Sequence, residues 1–165
     1  MSEDRSRGVQ SNVSLLGHPI HPMLIPFPIA LLVGALVTDL VYWFSQDSFW
    51  ILASFWLLVG GMATGVLAGI VGVVDFLTID RVRQHIDGWV HAGGNVIVII
   101  LAVVNLLLRL GNPLLGSELL LAGTLLSALT SALLVVTSWY GGELVYRHMI
   151  AVFGHGQGPT AGKQD

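Results

Sequence analysis

Four long apolar stretches alternate with short polar breaks along this chain. The first runs from Met23 to Phe44 and stops at Ser45-Gln46-Asp47, and the second runs from Phe49 to Leu77. The third covers Gly88 to Leu110. The fourth covers Leu114 to Trp139, and is longer if its helix continues through Gly141-Gly142. The breaks are rich in turn formers: Ser45 to Ser48, Asp80 to Asp87, and Gly111-Asn112-Pro113. At about 1.5 Å per helical residue, each stretch can cross roughly 30 Å of hydrocarbon. Transmembrane strands need apolar and polar residues to alternate over about ten positions, which none of the four does. The pattern predicts an all-α fold, a four-helix transmembrane bundle occupying residues 17–153. Residues 1–16 and 154–165 are polar or glycine-rich and read as loose tails. The first stretch exceeds a secretory h-region and lacks a small-residue cleavage site, so it reads as a retained helix.

Composition narrows the class. Hydrophobic residues make up 54% of the 165 positions and charged residues 10%, with a mean hydropathy of +0.79. A soluble domain carries about 25% charged residues because its surface faces water. The net charge of −3 argues against a nucleic-acid partner, which would call for a basic patch. The lipid bilayer is the expected partner. With no cysteine, disulfides, iron–sulfur clusters and thiolate metal sites are excluded within the chain.

Charge placement predicts orientation. In a four-span chain both termini and the loop between spans two and three share one side. That side holds Arg5, Arg7, Arg81, Arg83, Arg147 and Lys163, against Arg109 alone on the other. Both termini are therefore expected in the cytoplasm. Tyr42, Trp43, Phe49, Trp50, Trp89, Trp139 and Tyr140 fall at span ends, where an interfacial aromatic belt would sit.

Gly61, Gly65 and Gly69 repeat every fourth residue in span two and form a groove along one helix face. Such grooves let helix backbones approach closely in lipid. The groove serves either packing inside the bundle or a homo-oligomer.

Ionisable residues within spans are costly and mark candidate sites. His18, His21, Asp75, His91, Asn95, Glu143 and His148 all fall towards the expected cytoplasmic end. His18 and His21 each precede a proline, which favours extended backbone, so Gly17 to Pro22 reads as a stiff strap. Neutral imidazole ligates transition metals and haem iron. His18, His21, His91 and His148 are the candidate cofactor ligands, and His18, His21 and His91 the candidate metal ligands. Asp75 and Asn95 are their expected hydrogen-bonding support. His91 and Asn95 stand four apart on one helix face. The plainer reading is that these groups tie helix ends together. Asp39 and Arg109, near the opposite ends of their spans, are expected to form a structural ion pair. His85, Asp87 and His155 read as solvated. No nucleophile, phosphate-loop or dinucleotide motif occurs, and the chain offers no enzyme by motif.

The run Gly17-His18-Pro19-Ile20-His21-Pro22-Met23-Leu24-Ile25-Pro26-Phe27-Pro28 resembles the hallmark of the family called domain of unknown function 2231. Asp39, Asp75, His91-x-x-x-Asn95 and Gly141-Gly142-Glu143-Leu144-Val145-Tyr146 follow in the family's order, so that the likeness spans roughly residues 15 to 153. The resemblance implies a small four-span protein of the bacterial inner membrane without an established activity. Some relatives are similar to fusions with cytochrome-c-like or Rieske-like modules, which by association implies membrane redox chemistry.

Three functions follow as expectations. The first is an electron-transfer module holding haem b or a transition metal among the histidines and serving a redox partner protein. The others are a structural accessory subunit and a small-solute or proton transporter using Asp75, His91 and Glu143. The last is disfavoured by the lack of a repeat between the two halves and of polar residues at the bilayer midplane.

Overall fold

The computed structural model describes residues 8–111 and 117–152. Four helical units in it are long and apolar enough to cross a membrane. In chain order the elements are β1 (Ser14–Leu15), β2 (His18–Pro19), α1 (Ile20–Leu24), α2 (Pro26–Ser45), α3 (Ser48–Thr78), α4 (Asp80–Arg83), α5 (Ile86–Arg109) and α6 (Ser117–Tyr146). Helices α2 and α3 pack as one pair and α5 and α6 as another, with α3 touching α5 and α2 touching α6 to close a four-membered bundle. The fourth helix does continue through Gly141-Gly142, as far as Tyr146. The expected tail 154–165 and the start of the fourth stretch at Leu114 lie outside the described residues.

Local chemistry fixes the helix ends. Gln46 closes α2 in the left-handed conformation (φ 55°), and its side-chain amide donates to the Trp43 carbonyl at 2.9 Å. Asp47 then caps α3, accepting from the Phe49 amide at 2.9 Å. Pro26 and Pro28 at the start of α2 cannot donate to the helix ladder, and the first span accordingly divides into α1 and α2 at Ile25.

That division corrects the expected strap. His18 lies in extended β2, but His21 is helical, inside α1. The proline preference at His21 is overridden by tertiary contacts, because its ring is bonded to the carbonyl of Ala68 in α3 and seated on Gly72. The expected loose tail also ends sooner than residue 16. Val9 pairs in parallel with Ile150 through bonds of 2.8 Å to Met149 and from Ala151. Ser11 Oγ donates to Asp75 at 2.6 Å and Asn12 Nδ2 to Thr78 at 2.8 Å, strapping this segment over the end of α3. The β1–β2 hairpin turns through Leu16 (φ 51°) and Gly17 (φ 81°), the two left-handed residues a tight hairpin of this kind requires.

The burial pattern is inverted relative to a soluble bundle. Leu32, Ala35, Leu58, Val98, Ala102, Leu106 and Leu134 form the apolar centre. Around it lie buried Thr38, Asp39, Ser54, Asn105, Arg109, Ser127, Thr130 and Thr137. Phe44, Trp56, Leu67, Ile70, Ile100, Leu125, Val135 and Trp139 instead stand exposed on the outside. Apolar side chains gain nothing by avoiding lipid, whereas polar ones must be satisfied within the protein. The chain is therefore built as an integral membrane protein.

Candidate functional site

The polar residues gather into three groups. At one end of the bundle His21, from α1, and His91, from α5, bring their imidazoles to a centroid separation of 6.2 Å with ring planes at 87°. Each ring is held in the same way by the neighbouring helix. His21 Nδ1 donates to the Ala68 carbonyl of α3 at 2.9 Å, and His91 Nδ1 donates to the Thr137 carbonyl of α6 at 2.8 Å. A carbonyl only accepts, so the proton of each neutral ring sits on Nδ1 and the lone pair on Nε2.

Glycine makes both bonds reachable. A helical carbonyl is normally screened by the side chain four residues on, which lies over it on the same face. Four residues beyond Ala68 is Gly72, and four beyond Thr137 is Gly141. A Cβ at Gly72 would come within 2.7 Å of His21 Cε1, and one at Gly141 within 2.8 Å of His91 Cε1. Each imidazole thus occupies the place where a side chain would have been.

The expected supporting residues are differently employed. Asn95 Nδ2 donates to the His91 carbonyl at 2.7 Å and stands 3.5 Å from its Nδ1, so its main bond is to backbone. Asp75 does not support a histidine ring: its oxygens accept from Ser11 Oγ at 2.6 Å and from the Asn12 amide at 2.9 Å. His18 is exposed on β2. His148 belongs to a second group, where its Nε2 bonds Asp87 at 2.7 Å and its ring stacks on His85 at 3.7 Å. The loop residues expected to be solvated are thereby half-buried partners of His148. Glu143, beside them, pairs with Arg147 at 2.9 Å.

The third group lies at the opposite end of the bundle, about 27 Å along α5 from His91 at 1.5 Å per residue. Arg109 and Asp39, both 0% exposed, form a bidentate pair with bonds of 3.0 and 2.8 Å. Arg109 also donates to Asn105 Oδ1 at 3.0 Å and to Ser54 Oγ at 2.8 Å. Ser127 Oγ completes the carboxylate at 2.8 Å, and Asn105 donates to Ser127 Oγ at 2.9 Å. All four spans contribute, and four of the guanidinium's five donors are taken up by these partners. Sequence reading reached only the two charges of this network. Asn105 is four residues before Arg109 and was legible as its helix neighbour, but Ser54 and Ser127 carry no such mark.

The glycine groove of α3 works largely inside the bundle. A Cβ at Gly61 would meet Leu32 at 2.8 Å, and one at Gly65 would meet Ile99 at 3.0 Å, whereas the position at Gly69 is open.

Among the described residues no three acidic or histidine side chains converge as a ready metal centre. The His21–His91 pair is an edge contact of two imidazoles, each with its Nδ1 on a carbonyl of the adjoining helix.

No curated protein and no solved structure matches the chain. The family model described as "Predicted membrane protein (DUF2231)" matches residues 17–154. That stretch contains the His-Pro hallmark, both histidines of the pair, their two glycine seats and the buried ion pair, and the chain belongs to this family.

Proposed function

We propose that the chain is a membrane-embedded metal-binding module in which His21 and His91 are paired ligands of a transition metal or of haem iron, and that it passes electrons to a redox partner protein. The observation that carries this reading is the 6.2 Å separation of two imidazoles whose Nδ1 atoms are both committed to carbonyls. Ligating histidines characteristically donate one ring nitrogen to a fixed acceptor, which orients the other towards the metal. With metal–nitrogen bonds of about 2.0–2.1 Å and rings of about 1.2 Å radius, two imidazoles on one ion place their centroids roughly 5–6.5 Å apart, depending on the angle. The observed spacing falls in that range.

Helix tying is the second reading, because both rings already hold their span to a neighbour. It needs the Nδ1 bonds alone and leaves the approach of one imidazole to the other without a purpose. The positive charge of the loop between α3 and α5 supports a cytoplasmic position for the paired histidines and both termini, in the inner membrane of a bacterium.

The test is metal and haem content. Protein purified in detergent from cells, without added metal, should carry a metal or a Soret band. His91→Ala should remove it, and the exposed-site variant His18→Ala should not. Equal content in wild type and His91→Ala would end the reading.

A further inference from the structure

Resting on the ligand assignment in that reading and not on its electron transfer, we infer that the ion held by His21 and His91 is monovalent copper. Three observations about the pair lead there. The donor set is two neutral nitrogens and, among the described residues, the nearby carboxylates have other partners. Asp75 is bonded by Ser11 and Asn12, Asp87 by His148 and Asp80 by Arg83, and Glu143 is ion-paired with Arg147 although its buried Oε2 makes no hydrogen bond. Asp39 is held by Arg109 at the other end of the bundle.

An ion in this position keeps its whole charge. The cost of placing charge in a medium of low dielectric grows with the square of that charge, so a divalent ion without an anionic ligand is strongly disfavoured against a monovalent one. Calcium and magnesium also require oxygen ligands, and zinc four ligands in a tetrahedron. Copper is served by imidazole, and its monovalent d10 ion is satisfied by two donors.

Geometry points the same way. Two rings on one ion at the tetrahedral angle would bring their centroids to about 5.3 Å, and a linear arrangement would set them about 6.5 Å apart, from bond lengths of about 2.0–2.1 Å. With both Nε2 atoms turned to one ion, the 6.2 Å observed would lie nearer the linear limit, the angle favoured by two-coordinate copper. Haem iron also accepts two axial imidazoles, but it brings a macrocycle that must spread between them. The helices behind the rings are closed at glycine contacts. Besides the seats at Gly72 and Gly141, Gly94 of α5 packs on Thr137 of α6 with no room for a Cβ. A bare ion needs no such slot.

The test is competition in detergent micelles under anaerobic, reducing conditions. Cu(I) is offered as its coloured bicinchoninate complex, and Zn(II) and hemin are offered separately. Wild type should withdraw one Cu(I) per chain, and Zn(II) or hemin should not displace it. Affinity should fall by more than about tenfold in His21→Ala and in His91→Ala, and stay unchanged in His18→Ala. The selectivity arm uses wild type alone, so it stands even if a variant misfolds. Binding of Zn(II) or hemin that requires both histidines and displaces Cu(I) would overturn the copper assignment while leaving a histidine-held metal in place. Wild type that takes up none of the three would overturn both.

Discussion

His91 reaches the carbonyl of Thr137 only because residue 141 is glycine, and the imidazole fills the space a side chain at that position would take. The same relation joins His21 to Ala68 over Gly72. Two helix pairs, α1–α3 and α5–α6, therefore present one imidazole each by one local device, and the bundle brings the two together.

Gly141→Ala tests that device. Alanine favours helix over glycine by about 1 kcal/mol, so the helix itself should not suffer. The added methyl would lie 2.8 Å from His91 Cε1 and must push the ring aside. Helical circular dichroism should be retained while metal binding falls to the level of His91→Ala. Full metal binding in Gly141→Ala would show that the ring position does not matter.

The buried Arg109–Asp39 pair gives a stability prediction. Removing one partner leaves an uncompensated charge and costs about 3–5 kcal/mol. Arg109→Ala should lower the melting temperature in detergent sharply. The double variant Arg109→Met with Asp39→Leu should lose less, because no charge is stranded. A double variant less stable than the single one would mean that Ser54, Asn105 and Ser127 depend on the ions for more than charge balance.

The span two groove should respond unevenly. Gly65→Leu crowds Ile99 and Pro28 and should destabilise the bundle by about 1–3 kcal/mol, as overpacking does. Gly69→Leu has open space and should be tolerated by the fold. If Gly69→Leu alone changes the size of the detergent complex, that position faces a second copy of the chain.

Much of this architecture was legible in the sequence, and the reasons differ from element to element. The four spans follow from run length, since nothing but helix satisfies a backbone in lipid over such distances. The ends of α2 and α3 follow from Gln46 and Asp47. The approach of His21 to His91 was readable only as a shared leaflet, because the rotation of α1 against α5 is set by packing. Gly72 and Gly141 were invisible as seats for the same reason. The helical state of His21 is not legible in the sequence, because the preference of a residue before proline is local and the bond to Ala68 that overrides it is tertiary. The partners of Asp75 are not legible either, because Ser11 and Asn12 lie in a segment too polar to read as folded. Ser54 and Ser127 are small hydroxyl residues of a kind common in spans, and only the Arg109 guanidinium gives them meaning.

Orientation has its own readout. A reporter active only in the cytoplasm, fused after Asp165, should be active, as should one inserted between α4 and α5, since six of the seven cationic residues fall on that side. Activity of a periplasm-specific reporter at either point would reverse the topology.

The most direct measurement is X-ray absorption at the copper edge of wild-type protein loaded anaerobically with one equivalent of Cu(I). The account predicts two nitrogen scatterers at one distance, shorter than the roughly 2.0–2.1 Å of a four-coordinate zinc site, with the outer-shell pattern of imidazole and no sulfur or further oxygen ligands. A three- or four-coordinate ion, a sulfur ligand, or a spectrum unchanged in His21→Ala with His91→Ala would contradict the assignment of this pair as the metal site.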